Sequence, residues 1–510
     1  MNKKRLAEEG LPSLVAVTRL RQIRHFDLSN ARWFDADTWN DLLLHMVNFY
    51  DHLDFIDITR ANLHGVNLDL LTAVLCKSRS ITMSGLESKW LVRIFEALFE
   101  QKCGRIEHFR LGGELYNIPD DLLLDTLSLV KSVTIEPWST LGFFQYQTVL
   151  DRCKISGTQL SLEISGNNIS DAPIPVNSAL SDLADTSLYF DNFDDFSTND
   201  WNTAFGKLSR GQSKLKKLSI MGPFTGLNLN DVDSDILSTG FSKLSSLSLS
   251  DVLLSDSHWT SILKLASLSS LILRMINMTT LDAELLARSL SSCSRLSLDY
   301  VALNHQQWLA LLESILSTNK NRQFRISSVD LSKIPSSLLA SVTTRCDSVD
   351  LSFSTLTPHQ ITDMLKSAIS SKTLGNLQLT GVDLSSVPES ILARALTNVT
   401  RASLGKTKLT ASQVTSLLVA NLGKSRLRHL NLSQCRLGGV DSEVVALSLS
   451  RLRTVNLHNT LLTRDQMTRL VTQIDKFTRL EMITIHSTSA NLLPYEIKKH
   501  LSRKLAIDIL

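Results

Sequence analysis

The sequence predicts an α/β solenoid of stacked strand–helix repeats, and two observations carry this prediction. The first is a short L-x-x-L-x-L strand step followed by an apolar helical face, which recurs from Ile23 to the last residue. The second is the spacing of these steps, whose last apolar residues alternate between intervals of 25 and 28 residues from Leu273 to Ile485. Self-similarity at this period indicates units that bury their apolar faces on their neighbours.

We call the last apolar residue of each strand step its reference position. The reference positions are Leu28, Ile58, Met83, Leu111, Ile135, Ile164, Phe190, Ile220, Leu249, Leu273, Leu298, Ile326, Leu351, Leu379, Leu404, Leu432, Leu457, Ile485 and Ile509. They predict a leucine-rich-repeat solenoid (horseshoe) of about 18–19 strand–helix repeats, with a parallel concave sheet and outer helices. The curvature is expected because strands stack about 4.8 Å apart, whereas helices need about 8–10 Å. We expect residues 1–510 to form a single solenoid, with an amino-terminal cap at 1–20. Residues 490–510 should form a carboxyl-terminal capping helix and a truncated last repeat.

The helix of each repeat has a readable start. In the longer repeat type, Thr357 is placed as the N-cap and Pro358 as the first helical residue, where a missing N–H costs nothing. Apolar residues then follow at helical spacing over residues 361–368. In the shorter type, Pro335 and Pro388 occupy a proline slot of their own at the helix start, which Asp282 and Asp441 take in two other copies.

Five tryptophans fall on the apolar stripes of these helices. They are Trp39, Trp90, Trp201, Trp259 and Trp308. An aromatic cage or a base-stacking platform is the alternative reading. Repeated placement in one slot favours core packing.

The amino-acid composition excludes few classes of function. The net charge is +3, from 53 basic and 50 acidic residues, which gives no footprint for nucleic acid or for an anionic membrane. No run approaches the roughly 20 apolar residues of a membrane helix, and the amino-terminal residues lack the apolar stretch of a signal peptide. The expected location is cytoplasmic. Six scattered cysteines without CxxC pairs predict free buried thiols rather than a disulfide, a metal site or a cofactor.

The segment Leu427 to Leu437 fits the phrase L-x-x-L-x-L-x-x-[N/C]-x-L, and the chain resembles the ribonuclease-inhibitor type of leucine-rich repeat from about Leu20 to Leu510. The resemblance implies alternating strand–helix units and protein binding on the concave face. The Asn/Cys slot is filled as in that family only at Asn167 and Cys435. We therefore expect few side-chain bonds to buried backbone from this slot.

The sequence contains no GxSxG, HExxH or phosphate-loop motif, so we expect a protein that is not an enzyme. The leading hypothesis is a scaffold, adaptor or inhibitor that binds another protein. A GTPase-activating or other regulatory leucine-rich-repeat protein is one alternative. A sensor module for a non-protein ligand is another.

The candidate binding residues flank the reference positions, where alternation points side chains toward the concave face. Most such residues are small and hydroxylated, but two clusters differ. The first cluster is Glu136, Glu163, Tyr189 and Asp191. The second cluster is Arg274, Asp299, Tyr300, Arg325 and Phe353. The first cluster continues into an acidic stretch that could receive a basic partner, although ordinary solvated surface charge explains it as well.

Overall fold

The computed structural model describes residues 24–29, 34–101, 103, 106–136, 145, 149, 159–165, 185–189, 198–211, 215–222, 226–265, 268–318, 323–460, 462–474, 480, 482–485 and 506–509. It describes the backbone alone at 25, 159–165, 185–189, 471, 474, 482, 484, 485 and 506–509. The chain forms two compact units, Met1–Leu268 (unit 1) and Ser269–Leu510 (unit 2). The predicted cap at 1–20 and most of 490–510 lie outside the described residues.

Unit 1 alternates strands and helices along the chain. Its strands are β1 (His25–Asp27), β2 (Leu53–Asp57), β3 (Ser78–Ser84), β4 (His108–Gly112), β5 (Ser132–Ile135), β6 (Gln159–Ser165), β7 (Asp185–Tyr189), β8 (Lys217–Met221), β9 (Leu227–Asn228), β10 (Ser246–Ser250) and β11 (Val252–Leu253). Its helices are α1 (Ala36–Phe49), α2 (Leu68–Cys76), α3 (Ser88–Glu100), α4 (Asp120–Ser128), α5 (Thr198–Ser209), α6 (Ser234–Ser242) and α7 (Asp256–Leu265). Strands β1 to β8 pair in chain order and β8 pairs with β10, all in parallel. The short strands β9 and β11 form a separate parallel pair.

Unit 2 repeats the same pattern more regularly. Its strands are β12 (Ser270–Arg274), β13 (Arg295–Asp299), β14 (Gln323–Ser327), β15 (Ser348–Asp350), β16 (Asn376–Gln378), β17 (Arg401–Ser403), β18 (His429–Asn431), β19 (Thr454–Leu457), β20 (Met482–Ile485) and β21 (Ala506–Ile509). Its helices are α8 (Ala283–Leu290), α9 (His305–Ser317), α10 (Ser336–Arg345), α11 (Pro358–Ser370), α12 (Glu389–Asn398), α13 (Ala411–Asn421), α14 (Ser442–Leu449) and α15 (Arg464–Ile474). Each strand pairs in parallel with the next, from β12 to β21.

The core of each unit lies between its strands and its helices. The reference residues that the pattern placed there are buried, as Leu273, Leu298 and Ile326 show. The five tryptophans assigned to the helical stripes are buried too, which confirms their role in the core. Among the described residues, no helix has the length and apolar character needed to span a membrane. The predicted α/β solenoid of strand–helix repeats is confirmed.

The predicted register of reference positions is wrong at two places. Ile135 of β5 pairs with Leu162 of β6 and not with the predicted Ile164. Leu188 pairs with Ile164 on one side and with Ile220 on the other, so it, and not Phe190, holds the reference position of β7. The two residues have the same parity along the strand. Alternation of side chains therefore could not choose between them, and only the pairing with neighbouring strands does.

Buried glutamines connect successive repeats of unit 2, a feature that the repeat pattern had not predicted. Gln307, Gln360, Gln413 and Gln466 recur every 53 residues and are buried near the starts of α9, α11, α13 and α15. The Gln307 side-chain amide donates to the carbonyl oxygens of Met278 and Leu281, at 2.8 and 2.7 Å. The other three make the equivalent pairs of bonds. Buried backbone carbonyls are thus satisfied by glutamine rather than by an asparagine ladder.

The Asn/Cys slot contributes more bonds than we expected from its composition. The Thr460 hydroxyl donates to the Leu432 carbonyl at 2.7 Å, and the Ser354 hydroxyl donates to the Ile326 carbonyl at 3.3 Å. Small hydroxyl side chains can therefore replace Asn or Cys there.

The expectation of free thiols is wrong for one pair of cysteines. The sulfurs of Cys76, at the end of α2, and Cys103, just after α3, lie within bonding distance, and their Cα atoms are 5.0 Å apart. Their separation of 27 residues is one repeat, so stacking brings equivalent positions together. Cys293, Cys346 and Cys435 are buried thiols outside any disulfide, as predicted, and Cys153 lies outside the described residues.

Candidate protein-binding surface

A column of residues with positive φ follows the strands of unit 2, always two positions after the reference residue. The column consists of Met275, Tyr300, Ser328, Phe353, Gly381, Lys406, Gln434 and Asn459. Their N–H groups extend the sheet, as Met275 donates to the Asp299 carbonyl at 2.9 Å and Phe353 to the Thr380 carbonyl at 2.7 Å. The strand ladder therefore fixes the turn at which each of these side chains leaves the sheet.

Three large apolar side chains in this column are exposed, and we call them the apolar ridge: Met275, Tyr300 and Phe353. Their exposed fractions are 43%, 56% and 50%. Met275 and Tyr300 follow the paired residues of β12 and β13, so they occupy neighbouring repeats about 4.8 Å apart. A bulky residue at positive φ is uncommon and costs of order 1 kcal/mol or more. The ridge thus combines backbone strain with apolar exposure.

Phe353 has a fixed position on the ridge. A Cβ atom added to Gly381 would lie 2.5 Å from the Cδ1 atom of Phe353, so the ring occupies the space that a larger residue would fill. The Lys406 ammonium lies 5.7 Å from the ring centroid, within the range of a cation–π contact. Two neighbouring repeats therefore orient this aromatic ring.

The charged members of the second cluster pair with one another or with residues beside them. Arg274 Nε donates to Asp299 Oδ2 at 3.0 Å, and the Ser327 hydroxyl donates to Asp299 Oδ1 at 2.5 Å. Arg325 Nε lies 3.3 Å from Asp350 Oδ2. Both aspartates are buried, whereas the two arginines are nearly half exposed. The carboxylates are engaged internally, and the arginines keep an outward face.

Glu136 of the first cluster is likewise engaged within the fold. Its carboxylate is buried and accepts hydrogen bonds from Arg110 Nε at 2.7 Å and from the Ser84 hydroxyl at 2.6 Å. It reaches across β4 because Gly112 has no side chain there, and a Cβ atom on Gly112 would lie 2.3 Å from Glu136 Oε2. Burial raises the pKa of Asp57, and the negative charge of Glu136 raises it further.

The other three residues of the first cluster are only partly placed. Glu163 of β6 pairs with Ser187 of β7, and Tyr189 of β7 pairs with Ser165 of β6. Tyr189 therefore lies two positions further along β7 than the residue that pairs with Glu163. Asp191 lies outside the described residues. The described residues therefore include the whole of the second cluster and, of the first cluster, Glu136 with the backbone positions of Glu163 and Tyr189.

Two features of the surface were missed at the level of sequence. Asp350 and Met275 belong beside the second cluster, and both positions follow from the repeat register.

The charge is also unevenly divided along the chain. Residues 269–510 carry 28 Lys and Arg against 17 Asp and Glu, a net charge of +11, whereas residues 1–268 carry a net charge of −8. The balanced total of +3 concealed this asymmetry. Among the described residues, no group of three His, Cys, Asp or Glu side chains could hold a metal ion.

Comparison with known proteins yields a structural likeness alone. No family model matches the chain, and no curated protein matches it. Solved structures do match, among them the crystal structure of the Rad7 and Elc1 complex in yeast, at 15% sequence identity and a TM-score of 0.41. The match covers 83% of this chain and 88% of that chain. At this level of similarity, the fold assignment rests on the strands and helices of the chain itself.

Proposed function

We propose that this protein is a non-enzymatic leucine-rich-repeat scaffold, adaptor or inhibitor that binds a partner protein on the strand side of unit 2. The observation that carries the proposal is the apolar ridge of Met275, Tyr300 and Phe353. These three large apolar side chains are exposed, and each backbone has positive φ. Exposed apolar side chains that lie near one another on a surface are typical of an interaction site.

The composition of the ridge suits a protein interface. Tyrosine and arginine are enriched among residues that dominate binding energy, usually near the centre of a contact. Tyr300 and Phe353 provide rigid aromatic surfaces, while Arg274 and Arg325 lie beside them with part of each guanidinium exposed. A partner that covers the ridge would bury the aromatic rings and accept hydrogen bonds from the arginines.

The ribonuclease-inhibitor type of repeat belongs to the same proposal. Its support is the alternation of 25- and 28-residue repeats, each with a helix after its strand, throughout the described part of unit 2 from β12 to α15. The prediction of a basic partner was based on the acidic residues of the first cluster. Because Glu136 is committed to Arg110 and Ser84, we base the proposed contact on the second cluster instead.

A photo-crosslinking experiment tests the location of the contact. A benzophenone amino acid placed at Tyr300 should form protein adducts in native lysate, and the same group at Val419 should not. Val419 is a matched control because it is similarly exposed but lies on α13. Adducts of equal yield at both positions would show that the ridge is not the contact.

Substitution of the ridge separates binding from folding. Tyr300→Gly should abolish the adduct formed from a crosslinker at Met275, yet leave the thermal midpoint unchanged or higher, because glycine adopts positive φ without strain. Phe353→Ala should weaken the same adduct. Retention of the full adduct in both variants would contradict the proposed role of the aromatic residues.

A further inference from the structure

We propose that the later repeats of unit 2 bind an acidic segment of the partner protein through a rim of arginines. The arginine rim consists of Arg401, Arg426, Arg428, Arg451 and Arg453. This inference rests on the proposed function in that the ligand is a polypeptide, but it concerns residues remote in sequence from the apolar ridge.

The rim lies in the most basic part of the chain. Residues 390–440 contain no Asp or Glu, and residues 390–464 contain eleven Lys and Arg against only Asp441 and Glu443. Blocks of one charge sign attract oppositely charged partners and speed their association. The local excess is therefore strong enough to select a partner by charge.

The repeat brings the arginines together. The tripeptides Arg426-Leu427-Arg428 and Arg451-Leu452-Arg453 precede β18 and β19 at equivalent positions, and both leucines are buried. The Arg453 N–H donates to the Arg428 carbonyl at 2.7 Å, which holds the two segments in register. Equivalent arginines on neighbouring parallel strands have Cα atoms about 4.8 Å apart. Arg401 is in register with His429 at the start of the adjacent strand.

The equivalent placement of Arg426 and Arg451 on neighbouring repeats costs stability unless a ligand uses it. Like charges at directly opposite positions repel each other, and no described acidic residue forms an ion pair with Arg401, Arg426, Arg428 or Arg451. Backbone carbonyls hold two of the guanidinium groups, because Arg428 Nη1 donates to Leu427 at 3.0 Å and Arg451 Nη1 donates to Leu422. The guanidinium groups of Arg428 and Arg451 each have further donors that remain for a carboxylate.

The surroundings favour a polypeptide over a nucleic acid. No Phe, Trp or Tyr occurs between Phe353 and Phe477, so the rim lacks the aromatic platform on which single-stranded bases stack. The rim spans β17 to β19, roughly 10 Å, which is too short for the six to ten phosphate contacts of a typical duplex-binding surface.

Binding of charged probes to the full-length chain tests this inference. The probes are a labelled oligoglutamate peptide and a single-stranded oligonucleotide of equal charge, measured by fluorescence anisotropy at low salt. The variant R401Q/R426Q removes two rim charges whose side chains make no hydrogen bond to a described residue, and R428Q/R453Q removes two more. The control R394Q/R464Q removes two charges from α12 and α15. Circular dichroism verifies that each variant is folded.

We expect each rim variant to weaken peptide binding by about ten-fold or more, and the control to leave it nearly unchanged. Equal losses in the rim variants and the control would overturn the inference, because a diffuse attraction to unit 2 would then explain binding. Tighter, rim-dependent binding of the oligonucleotide would also overturn it. Neither outcome affects the ridge, because crosslinking at Tyr300 is a separate measurement.

Discussion

Single glycines decide where the large side chains of this surface lie. Gly112 leaves the space into which the Glu136 carboxylate folds, and Gly381 leaves the space that the Phe353 ring occupies. In both cases the side chain fills a gap in the neighbouring repeat. The consequence differs, because Glu136 becomes buried whereas Phe353 stays half exposed. A glycine in one repeat thus makes room for a large side chain of an adjacent repeat.

Substitution of Gly381 provides a test at this scale. Gly381→Ala should destabilise the protein by about 1–3 kcal/mol, because alanine is strained at positive φ and its Cβ collides with Phe353. Chemical denaturation measures the change. The control is Gly438→Ala, since Gly438 has open space around its Cα atom. Equal stability of the two variants would mean that the Phe353 ring moves freely out of the way.

Successive repeats are joined by polar side chains as well as by apolar packing. Each buried glutamine links the start of one helix to two carbonyl groups of the preceding repeat, and the same amide accepts a hydrogen bond from its own N-cap backbone, as Gln307 does from Asn304 N–H at 2.7 Å. These contacts complete capping boxes at α9, α11 and α13. Glutamine therefore performs two tasks, capping a helix and satisfying buried backbone.

Helix α9 has one buried and one exposed glutamine side by side, which allows a test of this role with a matched control. Gln307→Leu should lower the free energy of unfolding by about 1–3 kcal/mol, because it removes the side-chain donor to the buried Leu281 carbonyl and leaves the Met278 carbonyl with the Leu281 N–H as its described donor. Gln306→Leu makes the same chemical change at an exposed position and should have little effect. A similar loss in both variants would show that the interior bonds contribute nothing.

At the scale of the whole molecule, the chain is a series of repeats, and each repeat depends on its neighbours for stability. Every described strand of unit 2 pairs with the next one in sequence, so stability is carried mainly by contacts between adjacent repeats. The function we propose uses the same property, because ridge and rim are each assembled from equivalent positions on successive repeats. That residues 1–510 act as one continuous solenoid remains a prediction.

Hydrogen exchange can detect this one-dimensional coupling. In the Gln307→Leu variant, amide protection should fall most in β13 and β14, on either side of α9, and least in β19 of the same unit. Exchange resolved by peptide mass spectrometry provides the measurement. Uniform loss of protection across unit 2 would instead indicate that it unfolds as one cooperative body.

The sequence by itself determined the repeat, the strand and helix positions and the buried tryptophans, because these follow from short-range periodicity. It also selected Tyr300 and Phe353 as unusual strand-flanking residues. It could not show that Glu136 turns inward over Gly112, that Arg274 and Arg325 pair with Asp299 and Asp350, or that Leu188 replaces Phe190 in the register. Only the tertiary structure decided these, because each depends on the residue that stacking places on the adjacent strand, some 24 to 32 positions away. Periodicity does not specify how two such neighbours share space and charge.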